Sequence, residues 1–181
     1  ESWQVDITLH GSLDKQGMVL DFGDVKKIIK QLIDEHFDHK LLIPADYPGL
    51  GQQTNKQQLI LNFALENGQS IQHSSPADAV AFIPGTIITT DNVTQAIIST
   101  LNPLLPNNVD KVELVLSAEQ HNDAFYHYSH GLKQHLGNCQ RIAHGHSSRI
   151  QIERNGQRDT ALEQTWAKHW QDIYIGTRED L

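Results

Sequence analysis

His144-Gly145-His146-Ser147-Ser148-Arg149-Ile150-Gln151-Ile152 is the stretch on which the reading of this chain turns. Side chains of an extended segment alternate between two faces with a period of two. His144 and His146 therefore share a side, in step with Ser148, Ile150 and Ile152, which predicts a strand closed by the Asn155-Gly156 turn signal. A same-side imidazole pair is half of a catalytic zinc centre, which takes three protein ligands and keeps one position open. A third imidazole, His130, lies 14 residues upstream of His144. Six of the eleven histidines fall between His121 and His146, with the only cysteine, Cys139, among them. His127 and His135 are rival third ligands. Surface or hydrogen-bonded histidines without metal are the plain alternative for the whole set.

Working upstream, Ala124 to His130 reads as a strand, and so does the alternation of Val112, Leu114 and Leu116. A helix is expected from Asp91 to about Leu101, with Val93, Ala96, Ile97 and Leu101 on one face, ended by Pro103 and Pro106. Residues 41–88 are less regular. Tyr47-Pro48-Gly49 and Gly51 read as loop. Leu59, Leu61, Phe63 and Leu65 alternate into Asn67-Gly68, a hairpin turn signal, with Ser70 to His73 as the return. Near the start, Trp3, Val5, Ile7 and Leu9 alternate as a half-buried strand. Met18 to Phe22, across a turn bracketed by Gly11 and Gly17, is expected to pair with it as a hairpin. Val25, Ile28, Ile29, Leu32, Ile33 and His36 then recur at helical spacing, with Asp24 as the expected N-cap and Asp38-His39-Lys40 just beyond the end. Downstream, Leu162, Trp166, Trp170 and Ile173 predict a closing helix. Strand pair, helix, strand insert, helix and strands in that order predict an α+β fold with an antiparallel sheet.

The composition narrows the function classes. The chain has 181 residues, 38% hydrophobic and 20% charged, the proportions of an ordinary globule. No apolar run approaches the roughly 20 residues that span a membrane. The net charge of −8 argues against a nucleic-acid binder. It also means that an anionic substrate needs a local basic patch or a metal. A single cysteine allows no internal disulfide and fits a reducing, cytoplasmic setting. No signal peptide is visible, and the start at Glu1-Ser2-Trp3 leaves room for a longer natural N-terminus.

Gly17-Met18-Val19-Leu20-Asp21-Phe22-Gly23-Asp24-Val25-Lys26-Lys27, Asp38-His39-Lys40 and the Cys139…His144-Gly145-His146 cluster together resemble the 6-pyruvoyltetrahydropterin synthase family, which includes the 6-carboxytetrahydropterin synthases and has the T-fold. Tyr126-His127-Tyr128-Ser129-His130-Gly131-Leu132 is similar to the family's first zinc-bearing segment. Thr89-Thr90-Asp91-Asn92 is similar to the start of its second helix, and Val112 to Tyr126 to the strand that carries its pterin-anchoring glutamate. The likeness covers most of residues 3–45 and 86–154. The motif order differs, because in the family the zinc histidines precede the Gly-Met-Val-x-Asp-Phe segment and here they follow it. A tandem T-fold accounts for this, with residues 1–128 as a unit lacking the zinc ligands of its first strand and residues 125–181 as the start of a second unit carrying them. Circular permutation is the other account. An insert around residues 55–83 is unusual for the family.

What the resemblance implies is an enzyme of the lyase class acting on a small-molecule pterin triphosphate, 7,8-dihydroneopterin triphosphate, with Zn2+ as cofactor. His130, His144 and His146 would hold the zinc. Cys139 would be the base, since a nearby cation lowers a thiol's pKa; the alternative is a small buried filler residue. Asp38 and His39 would form a proton relay, a carboxylate orienting an imidazole; the alternative is a helix C-terminal histidine beside a solvated aspartate. Glu119 would anchor the pterin by a bidentate acceptance of two N–H groups. The family's Glu-to-Tyr spacing falls nearer Ala118, a solvated turn glutamate is the alternative, and Glu113 reads as an exposed strand residue. Lys40, Lys133, Arg141 and Arg149 are candidate counter-charges for the triphosphate, whereas Lys26, Lys27 and Lys30 read as a solvated helix face. Loss of triphosphate gives a 6-pyruvoyl product; cutting of the side chain gives the 6-carboxy product of a queuosine-type pathway. A zinc- or pterin-binding T-fold without catalysis is a further reading, and a histidine-rich assembly protein without metal another. The family also implies a homo-oligomer, because a half-sheet cannot leave long edge strands bare.

Overall fold

The computed structural model describes residues 2–56, 58–131, 144–176 and 178. The chain divides into two compact units, residues 5–116 and residues 117–181 with residues 1–4. Both mix helices with short sheets, as an α+β chain should.

In the 5–116 unit, β1 (Trp3–Gly11) alternates half-buried and exposed positions along its whole length, as its apolar spacing requires. It pairs with β7 (Val109–Ala118). At one end of that ladder the Ser12 amide bonds the Asn108 carbonyl, and at the other the Glu119 amide bonds the Ser2 carbonyl, so the strands run antiparallel. Gly11 is required at its end, because a Cβ there would stand 2.1 Å from the Asn108 carbonyl oxygen.

The expected strand over Met18 to Phe22 is not formed. Asp14 folds the segment on itself instead, its carboxylate accepting from the Gln16 and Met18 amides. Asn108 then takes the Val19 carbonyl with its side-chain amide. These local bonds satisfy groups that a hairpin ladder would otherwise need. Asp21 rather than Asp24 caps α1 (Phe22–His36), accepting from the Gly23 and Asp24 amides at 2.8 and 3.2 Å. Asp24 lies in the first turn, where its charge meets the positive end of the helix dipole. Val25 and Leu32 are the buried residues of the helix.

α2 (Thr90–Leu101) forms where expected. It is capped by Thr89 and Asn92, each side chain accepting from the other's backbone amide. Val93, Ile97 and Leu101 are buried, and a short 3-10 turn containing Pro103 follows the helix.

Residues 41–88 hold more order than their sequence signals suggested. β3 (Leu50–Asn55), β4 (Gln58–Ala64) and β5 (Ser70–Pro76) make an antiparallel meander, with the Asn67-Gly68 turn between the last two. Gly51, read as loop, lies in β3. β2 (Leu41–Pro44) pairs parallel with β6 (Val80–Ile83), which corrects the all-antiparallel expectation. A parallel pair needs a long crossover connection, and the meander supplies it. Ile43, Leu59, Leu61 and Val80 are buried together, with Leu41, Leu50 and Phe63 packed around them.

In the other unit, β8 (Phe125–Gly131) is the central strand of a three-stranded sheet. β9 (Gly145–Arg149) runs antiparallel to it and β12 (Ile173–Gly176) parallel. β9 stops at Arg149, so Ile150 and Ile152 do not extend it as expected. Ile150 instead packs with Ala124 and Ala167, and its amide bonds the Ala124 carbonyl. β10 (Glu153–Arg154) and β11 (Gln157–Arg158) form a hairpin around Asn155 and Gly156, whose φ values of 53° and 75° are those of a type I′ turn. α3 (Thr160–His169) is capped by Asp159. Ile173, expected in this helix, opens β12 instead.

Glu163 is almost fully buried on α3, where it accepts from the Ile152 amide at 3.1 Å and from Arg158 through both oxygens at 2.7 and 2.9 Å. Arg158 also donates to Asp123. The carboxylate thus ties the helix to the hairpin. The Arg158 guanidinium beside it holds the Glu163 carboxyl below the usual carboxylate range, against the opposing effect of burial. Among the described residues no helix is long and apolar enough to cross a membrane.

Candidate metal centre

The β8–β9 ladder sets the site. Tyr128 stands opposite His146, Tyr126 opposite Ser148 and His127 opposite Ser147. By alternation, Tyr126, Tyr128 and His130 share one face with Ser148, His146 and His144, while Phe125 and His127 share the other with Arg149 and Ser147. His130 on β8, His146 on β9 and His144, the residue just before β9, thus meet at one end of the strand pair. One ligand nitrogen from each of His130, His144 and His146 lies within 4.8 Å of the others. The rings of His130 and His146 stack at 4.6 Å between centroids, and His144 sits 4.5 Å from His146 at a steep angle. His130 Nδ1, His144 Nε2 and His146 Nε2 are all shielded from solvent. Buried nitrogens converging from three half-buried rings fit a divalent transition metal of zinc's type, and three such donors leave a fourth position open. Tyr128 stacks on His146 at 5.3 Å and 25°, with Tyr126 and Trp170 continuing the aromatic wall behind it. Sequence reasoning gave Tyr128 no part, although its place two residues before His130 was the available signal.

His127 is excluded from this group, since its exposed ring belongs to the opposite face and packs edge-on against Phe125. His135 and Cys139 lie outside the described residues, as do Lys133 and Arg141.

Asp38 and His39 form a pair in the 5–116 unit, with His39 Nδ1 at 2.5 Å from an Asp38 carboxylate oxygen. His39 has φ 54°, a left-handed conformation uncommon outside glycine, and it turns the chain out of α1 into β2. Lys27 and Lys30 pair with Asp24 and Asp34 on the exposed face of α1. Glu113 is an exposed strand residue paired with Lys111 and His10. Lys40 belongs to the 5–116 unit, whereas Arg149 is exposed on β9.

Glu119 directly follows β7, and its side chain is 48% exposed. Sequence reasoning assigned no role to its neighbour His121. That imidazole is only 7% exposed, with Nε2 at 2.7 Å from Ser147 Oγ and 3.7 Å from Glu119 Oε2. Because Ser147 alternates with His146, this second group stands on the face of β9 away from the three histidines. Its signal in sequence was the Glu-x-His spacing alone.

An α+β chain with three imidazoles converging at one end of a strand pair suits a metal-dependent enzyme family. The chain belongs to the 6-pyruvoyl tetrahydropterin synthase family, whose model matches residues 1–127. Its fold is like that of the Plasmodium falciparum 6-pyruvoyl tetrahydropterin synthase, at a TM-score of 0.51 and 19% identity, over 64% of this chain and 71% of that one. It also resembles the 6-carboxy-5,6,7,8-tetrahydropterin synthases of Rickettsia felis and Rickettsia conorii, each 52% identical over 40 residues, or 22% of this chain. The match spans 29% of the length of those curated relatives.

Proposed function

We propose that this chain is a zinc-dependent pterin synthase that acts on 7,8-dihydroneopterin triphosphate with loss of triphosphate. The observation that carries the reading is the convergence of His130, His144 and His146 within 4.8 Å on one face of the β8–β9 pair. Family membership supports it independently. Zinc held by these rings would supply Lewis acidity toward oxygen atoms of the substrate side chain. The chain's own residues have the remaining tasks. Glu119 accepts the two N–H groups at the edge of the pterin ring. Cys139 removes a proton from the side chain, and His39, oriented by Asp38, returns one.

The tandem organisation belongs to the same proposal, with residues 1–128 as one T-fold unit and residues 125–181 as the start of a second. Its support is that the family match ends at residue 127 and His130, His144 and His146 lie beyond it. A homo-oligomer is proposed as well. Its support is the large apolar side chains that stay exposed in the 5–116 unit, Phe22 at 80% and Leu13 at 68%.

A second reading, cutting of the side chain to the 6-carboxy product, is favoured by the names of the Rickettsia relatives. Incubating the zinc-loaded chain with 7,8-dihydroneopterin triphosphate and weighing the products by mass spectrometry tests both. Released triphosphate with a 6-pyruvoyl mass supports the first reading and a 6-carboxy mass the second. No product, with Cys139→Ala changing nothing, overturns both in favour of a binding module.

A further inference from the structure

We infer that His121 is a positioning residue that aims the Glu119 carboxylate at the ring of a bound 2-amino-4-oxo heterocycle; this rests on the reading of Glu119 as the ring anchor. The imidazole is itself held rigidly. Ser147 Oγ stands 2.7 Å from its Nε2, and the Phe125 ring lies against it at 4.2 Å between centroids. More than nine-tenths of the side chain is buried, and its Nδ1 is a buried atom with no hydrogen-bond partner among the described residues. A group immobilised at that cost in polar satisfaction calls for a use, and the mechanism proposed above leaves it without one.

Its Nε2 faces Glu119. At 3.7 Å from Oε2 the contact is of ion-pair length, too long for a hydrogen bond. The Glu119 side chain, half exposed, is the mobile partner and His121 the fixed one. A planar ligand whose ring N–H and exocyclic amino group engage the carboxylate displaces water from it. The lower local dielectric then strengthens the attraction between the remaining oxygen lone pairs and the imidazole edge. His121 thereby selects the orientation in which both oxygens meet the two donors side by side, the geometry a bidentate acceptor requires. A ligand carrying a carbonyl in place of the amino group offers one donor fewer and gains nothing from that alignment.

The experiment uses the whole metal-loaded chain and two fluorescent probes, a 6-substituted pterin and the matching lumazine, which has an oxo group at C2 instead of the amine. The wild-type chain is expected to prefer the pterin. His121→Phe, of similar shape, should cut that preference about tenfold, as expected for losing the alignment of a charge-assisted pair. His121→Gln, which restores an N–H near the Nε2 position, should recover part of it. Metal content should stay unchanged, because His121 meets β9 at Ser147, on the face turned away from the three histidines. Equal weakening of both probes together with loss of metal would make His121 a structural clamp and overturn the inference. A discrimination lost in Glu119→Gln but kept in His121→Phe would overturn it while leaving the anchor reading intact. Glu119→Gln without effect on either probe would remove the anchor reading, and His121's role with it.

Discussion

His144 and His146 illustrate how far single residues reach in this chain. Their shared side follows from the period of an extended backbone, a local property that survives any change of partner. Which third ring joins them is a matter of register. The Tyr128–His146 pairing puts His130 beside them and turns His127 away. Replacing His144 by Ala is therefore expected to weaken zinc or cobalt binding by more than about 100-fold, beyond the loss from removing an outer partner. His127→Ala should leave it within about twofold of wild type, since its ring makes no approach to the metal group. Isothermal titration, or the visible spectrum of the cobalt form, measures both. Equal losses in the two variants would refute the assignment of faces. Asp38 and His39 are a different case, because adjacency in sequence makes their pairing legible and only the left-handed backbone at His39 needed the structure.

Elements with strong local signals formed as read. The apolar stripe through Val93, Ile97 and Leu101 and the Asn67-Gly68 and Asn155-Gly156 turns all act over a few residues, whereas the capping box at Thr89 and Asn92 emerged only in the structure. The strands β2, β3 and β6 were not legible, because four to six residues are too few for periodicity to separate a buried strand from a loop. Met18 to Phe22 failed for the opposite reason: its apolar run was real, but Asp14 and Asn108 took its backbone groups. The clearest energetic device at this scale is Glu163, which joins α3 to the β10–β11 hairpin. Its carboxyl is depressed in the folded chain, so the stabilisation it gives is complete above the ordinary glutamate pKa of about 4.3 and is lost as pH falls through the lower folded value. Acid unfolding of the 117–181 unit, followed by tryptophan emission from Trp166 and Trp170, is expected to begin below that point. Glu163→Gln should lower stability at neutral pH and flatten the acid dependence, because the substituted side chain has no proton to take up. Identical acid midpoints in the two proteins would show that the Arg158 contact contributes nothing.

The whole molecule raises the matter of what covers the apolar surface left open in the 5–116 unit. Val5, Ile7 and Leu9 of β1 and Val25, Ile29 and Ile33 of α1 line an open groove of about 710 Å³, with the exposed Phe22 also on its wall. A face of this kind is costly in water. Light scattering on the eluting peak is therefore expected to give a mass above that of one chain, and Phe22→Glu to shift it toward the monomer. A wild-type chain that elutes as a monomer across the micromolar range would exclude the homo-oligomer.

By itself the sequence determined the helices, the tight turns, the pairing of Asp38 with His39 and the shared side of His144 and His146. Each of these depends on bonds or periodicities spanning at most about four residues. Only the tertiary structure decided that β2 and β6 run parallel, that His130 and not His127 comes together with His144 and His146, and that His121 stands between Ser147 and Glu119. Those facts depend on which backbone groups pair across tens of residues, and a one-residue slip in that pairing would have turned every side chain to the other face.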